Sequence, residues 1–125
     1  MELYEHTCMI RGDGGKAIRA ILDRICDKWT MLTVATLEQG RMRFSHLQQH
    51  IPGISQRMLT LTLRNLERDG LVSRTAYAEV PPRVEYALTP QGESLIPPAL
   101  ALARWAIEHN GEIQASRDEY DARSK

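Results

Sequence analysis

Between Ser55 and Gly70 the chain repeats leucine and arginine out of phase with each other, both at the spacing of an α-helix. With about 3.6 residues per turn, Arg57, Thr60, Leu61, Arg64 and Arg68 share one stripe. Leu59, Leu63 and Leu66 fall on the opposite side, with Thr62 beside them. Such a segment needs a core for its leucine side and water or a polar partner for its guanidinium side. Ser55 suits an N-cap, because its hydroxyl can accept from a free backbone N–H of the first turn. Gly70 suits the residue just past the end, where left-handed backbone is common. The spacing predicts a helix over residues 56–69.

The flanks narrow the choice of fold. Upstream, Ala17, Ile18, Ile21, Leu22 and Ile25 recur at helical spacing. Asp27 can cap a second helix reaching Gln39, with Trp29, Leu32, Thr33, Thr36 and Leu37 as its buried side and Gly40 as its stop. Ser45 can cap a short helix whose inner face is Leu47 and Ile51, with Phe44 as a staple. Pro52-Gly53 then signals a turn. Downstream, residues 71–77 and 84–88 read as strands around Pro81-Pro82, which cannot lie in a central strand. Thr89-Pro90 opens a last helical region, and Pro97-Pro98 breaks or kinks it. The order is helix, helix, short helix, turn, longer helix, hairpin, helix. This is mainly α with a small β-hairpin, the organisation of a winged helix-turn-helix. The expected division is a flexible arm over 1–15 with a Gly12–Gly15 breaker, a domain over 16–110 whose last helix covers about 91–110, and a polar, fraying tail over 111–125.

Sixteen basic residues balance sixteen acidic ones, so net charge does not announce a polyanionic partner. Position does. Residues 41–86 carry seven arginines (Arg41, Arg43, Arg57, Arg64, Arg68, Arg74 and Arg83) against four carboxylates, whereas the end from Glu108 is acidic. Arginine suits planar recognition of phosphate and guanine better than lysine. A helix with a buried back and a front of donors is what the major groove of DNA accepts. Arg57, Thr60 and Arg64 are therefore the expected base readers, with Leu61 able to touch a thymine methyl. Gln56 can reach an adenine or a phosphate, and Ser55 caps. Arg41, Arg43, Arg68, Arg74 and Arg83 are the expected contacts to phosphate or minor groove. A stripe of arginines can also be an ordinary solvated helix face, and the hairpin that follows tips the balance toward DNA.

No nucleophile–base pair, glycine-rich phosphate loop or paired carboxylates occurs, so the expectation is a non-enzyme without cofactors. His46 and His50 stand four apart without further ligands, and no metal site is expected. No apolar run is long enough for a membrane span, and residues 1–10 lack a signal-peptide pattern. The expected location is the cytoplasm.

With these segments in place, the sequence resembles the HxlR-type winged helix-turn-helix regulators of bacteria. The resemblance runs from about Ala17 to Trp105. It rests on Asp27-Lys28-Trp29-Thr30, Arg43-Phe44-Ser45-His46-Leu47, Ile51-Pro52-Gly53-Ile54-Ser55-Gln56-Arg57-Met58-Leu59-Thr60, the leucine–arginine run through Gly70-Leu71-Val72 to Arg74, and Val80-Pro81-Pro82-Arg83-Val84-Glu85-Tyr86 with Leu88, Thr89 and Gly92. It implies a homodimer on a two-fold-related site in double-stranded DNA, joined by its terminal helices and governed by a small signal, often an electrophile or oxidant. Ile96, Leu100, Ala103, Trp105 and Ile107 form the apolar strip expected at that interface. Members that sense through cysteine carry it just before the first core helix, where this chain has Lys16-Ala17, so that thiol is not carried over. Cys26 stands where glycine is usual. It reads either as a small buried packing residue or, near a helix N-terminus and Lys28, as a thiol biased toward thiolate and so toward redox sensing. Cys8 lies in the arm and can be inert, oxidised or bridged. The rival from another class is a winged-helix protein-interaction module that does not bind DNA.

Overall fold

A computed structural model describes residues 12–124. Its elements in chain order are α1 (Gly12–Ile25), α2 (Lys28–Leu37), β1 (Met42–Arg43), α3 (Phe44–His50), α4 (Gln56–Arg68), β2 (Val72–Tyr77), β3 (Arg83–Leu88), α5 (Pro90–Glu93) and α6 (Ile96–Arg123).

The element boundaries follow from local chemistry. The Asp27 carboxylate accepts from Trp29 N and Thr30 N at the start of α2. Ser55 Oγ accepts from Met58 N at 3.0 Å at the start of α4. Gly70, at φ +77°, lets Leu71 N return to Leu66 O at 2.9 Å and closes the helix. Thr89 Oγ1 accepts from Gly92 N at 3.1 Å, and Pro90 occupies the first turn of α5.

Several elements differ from expectation. The first helix takes in Gly12, Gly14 and Gly15, so the glycine run is its opening turn and not a breaker. Arg43, not Ser45, occupies the N-cap of α3, and no side chain bonds there. Leu32 faces outward at 47% exposure, and Val34 takes the core position instead. The proline pair falls in the first turn of α6, where missing N–H groups cost nothing, so the break lies between α5 and α6. The chain beyond Glu112 continues as helix to Arg123. Its residues are mostly good helix formers, and Gln114 Nε2 donates to Asp118 Oδ1 one turn on.

The sheet is antiparallel in the order β1-β3-β2. Met42 pairs with Tyr86 and Arg43 with Glu85; across the hairpin, Val72 pairs with Leu88 and Tyr77 with Arg83. Directly opposed residues share a face. Val72, Met42, Tyr86 and Leu88 turn to the core, so Arg43, Tyr77, Arg83 and Glu85 lie on the outer face. The core gathers Val34 and Leu37 of α2, Leu47 of α3, Ile51 and Ile54 of the turn, Leu59, Leu63 and Leu66 of α4, and Leu71 and Val72 leading into the wing. Each leucine buried this fully contributes about 1.5–3 kcal/mol. The leucine back of α4 is thereby fixed, and its other side is left at the surface.

Candidate nucleic-acid interface

The short α3, the Pro52-Gly53 turn and the longer α4 form a helix-turn-helix, with the β2–β3 hairpin as its wing. Gly53 has φ +86° and lies against the Trp29 ring, 3.8 Å from Cη2 for a Cβ placed there. Trp29 is half-buried, with the Lys28 ammonium 4.8 Å over its ring.

On α4 the two stripes separate as the spacing predicts. Leu59, Thr62, Leu63 and Leu66 are buried. Gln56, Arg57, Thr60, Leu61, Arg64 and Arg68 are exposed. No ion pair or side-chain hydrogen bond among the described residues engages Arg43, Arg57, Arg64, Arg68 or Arg74. Five guanidinium groups are thus available at the surface. Thr60 Oγ1 donates to Gln56 O at 2.8 Å, so in this rotamer the hydroxyl offers only its lone pairs outward. Arg24 of α1 bridges to Asp69 at 2.9 Å and braces the far end of α4.

The wing departs from expectation. Arg83 opens the return strand but does not project from it. Its guanidinium sits 4.2 Å over the Tyr77 ring. Nη2 is 3.2 Å from Glu79 and Nε is 3.6 Å from Glu85. Nε is buried and makes no hydrogen bond among the described residues. Arg41 is engaged too, donating from Nη1 to Tyr77 Oη at 2.7 Å with Glu85 at 3.8 Å. Two of the seven arginines are therefore engaged by side chains of the wing. Sequence reasoning misses the part played by Tyr77, Glu79 and Glu85. The signal that could have found them is the hairpin register, which sets Arg83 opposite Tyr77.

The apolar strip of α6 is at the surface: none of its residues is buried, and Leu100, Trp105 and Ile107 are 41%, 51% and 78% exposed. Ile96 and Leu95 pack partly on the core. The Trp105 and His109 rings stack at 4.6 Å. Between α2 and α6 runs an apolar groove of about 330 Å³, walled by Leu32, Ala35, Leu100, Ala103 and Ala106 and opening beside Cys26. Cys26 is exposed and unbridged, so it is not a buried packing residue. Cys8 lies outside the described residues. His50 Nδ1 donates to His46 O at 2.7 Å, and no cluster of three metal-ligating side chains occurs among the described residues. No helix among the described residues is long and apolar enough to cross a membrane.

Residues 24–114 match the family described as HxlR-like helix-turn-helix. An HTH-type transcriptional regulator of Methanothermobacter thermautotrophicus is 49% identical over 89 residues, 71% of this chain and 68% of its own. The HTH-type transcriptional regulator YtfH of Escherichia coli is 43% identical over 101 residues, 81% of this chain and 80% of its own. Among solved structures, the redox regulator HypR in its reduced form superimposes with a TM-score of 0.73 at 38% identity, over 79% of this chain and 98% of its own. With the fold, the helix-turn-helix and these relatives in agreement, the chain belongs to the HxlR-like helix-turn-helix family of transcriptional regulators.

Proposed function

We propose that this protein is a sequence-specific DNA-binding transcriptional regulator that works as a homodimer on a pseudo-palindromic operator. The observation that carries the reading is α4, whose Leu59, Leu63 and Leu66 are buried while Arg57, Arg64 and Arg68 stand exposed, without an ionic partner among the described residues. In this reading α4 enters the major groove. Arg57 and Arg64 bond guanine O6 and N7, Thr60 accepts from a base or a bridging water, and Leu61 meets a thymine methyl. Gln56 stands at the helix start near the backbone, and Arg43, Arg68 and Arg74 hold phosphates. Ser55 acts as the cap.

Two copies join through the exposed strip at Ile96, Leu100, Ala103, Trp105 and Ile107. The apolar side chains exposed together along this helix, Leu100, Leu102, Trp105 and Ile107, are expensive to leave in water. Paired reading helices then meet successive major grooves, about 34–36 Å apart. The test is selection of duplexes from a random pool by the purified protein. Recovery of an inverted repeat with half-sites one helical turn apart supports the reading. Failure to retain any duplex at moderate salt, with a partner protein bound instead, selects the protein-interaction module.

Redox control is a second proposal. HypR is a redox regulator, and Cys26 is an exposed thiol where α1 meets α2. Oxidation or alkylation there would shift α1 against α2 and weaken operator binding. An unchanged response of Cys26→Ser to diamide or a quinone would remove Cys26 from that role.

A further inference from the structure

The seven arginines of residues 41–86 fall into two groups once the wing is folded. Arg43, Arg57, Arg64, Arg68 and Arg74 have no ionic partner among the described residues. Arg41 and Arg83 are held by Glu79, Glu85 and Tyr77 on the outer face of the sheet. The two carboxylates are not equivalent. Glu85 lies in mid-strand, only 19% exposed, and serves both arginines. Glu79 lies in the loop, 47% exposed, and meets Arg83 alone, at Nη2. Glu85 is the strut of the cluster, and Glu79 is an acid laid over the open end of one guanidinium.

That open end faces a shared cleft. Arg43, Phe44 and Ser45 line it together with Glu79, Pro82 and Arg83. A phosphate seated on Arg43 would therefore lie in the same cleft as Arg83 and its Glu79 partner. The wing apex itself is uncharged, with Val80 fully exposed and Pro81 and Pro82 beside it.

We infer that Glu79 withholds Arg83 from the duplex, so that the return strand of the wing adds no phosphate contact and the affinity for any DNA is set by the five uncommitted arginines. The inference rests on the DNA-binding reading given above. Its physical content is counterion release. Each phosphate neutralised on B-DNA adds about 0.9 to the slope of log affinity against log salt. A guanidinium already matched by its own carboxylate releases no counterion when the duplex arrives. Holding one contact back lowers the sequence-independent share of binding and leaves base readout untouched.

The experiment measures anisotropy of a selected operator duplex and of a scrambled duplex between about 50 and 200 mM salt. The proteins are the full chain, Glu79→Gln, Arg83→Gln and the double variant. Wild type and Arg83→Gln are expected to share one slope. Glu79→Gln is expected to bind both duplexes more tightly, with a slope steeper by about 0.9. It therefore loses about 3- to 4-fold more affinity than wild type across that salt range. In the double variant the gain disappears, because the freed guanidinium is gone. Glu79→Ala, which removes the same carboxylate differently, is expected to repeat the steeper slope.

A gain that persists in the double variant would show that only a negative charge near DNA had been lost, and the inference falls. A flatter slope for Arg83→Gln alone would show Arg83 already on a phosphate, and would overturn the inference equally. If wild type binds neither duplex, the DNA-binding reading fails first and takes this inference with it. That case is told apart by wild type alone.

Discussion

Leu63 and Arg64 are neighbours in sequence and serve opposite masters. Leu63 is 1% exposed inside the core, whereas Arg64 is exposed and has no ionic partner among the described residues. Leu63→Ala is expected to cost about 2–5 kcal/mol of stability, seen as a lower urea midpoint, because packed neighbours only partly close the void. Arg64→Ala is expected to leave that midpoint within about 0.5 kcal/mol. On the operator it should cost about 1–3 kcal/mol and relax specificity at one position. An equal loss on random DNA would reassign Arg64 to the backbone. The stripe assignment is legible from spacing alone, since a leucine every three or four residues leaves a helix one way to face. Arg83 is not legible in the same way. Whether an arginine projects or folds back depends on cross-strand partners, and the register that supplies Tyr77 and Glu85 is a property of the pair of strands.

Elements are readable where a cap or breaker speaks locally. Asp27, Ser55, Gly70 and Thr89 each occupy the end that their chemistry marks. Legibility fails where the signal is short or the pattern polar. β1 has two residues and cannot display alternation. The last turns of α6 carry few apolar side chains to betray a period, yet their residue types still favour helix. Leu32 reads as inward because it is a leucine, but its position on α2 points it to the groove against α6. The caps have measurable weight. Ser55→Ala is expected to cost about 0.5–2 kcal/mol and to fray the first turn of α4, where Gln56 and Arg57 stand. Ser55→Asp should retain most of the stability, since its carboxylate can accept from the same N–H. Thermal melts of the two variants with wild type check both statements.

The whole molecule joins a helix-turn-helix and wing to a long, exposed helical arm, α6, whose first turns lie along α2. Ile107→Asp is the sharpest probe of that arm. At 78% exposure it contributes little to the fold of one chain, so the variant should stay folded. Sedimentation should then find a monomer, with operator affinity reduced far more than affinity for a single half-site. A variant that remains dimeric would move the interface elsewhere. One junction governs how such a dimer would measure DNA. The Thr89 hydroxyl donates to Gly70 O at 2.6 Å, at the exit of α4, while accepting from Gly92 N in α5. Thr89 N donates to Leu71 O at 3.0 Å, and a side chain at Gly92 would collide with that same carbonyl. The end of one helix, the root of the hairpin and the first turn toward the arm are riveted together at this point. A pair of chains built on this rivet would act as a stiff ruler, and an operator lengthened by one base pair between its halves would seat only one of the two arms of that ruler.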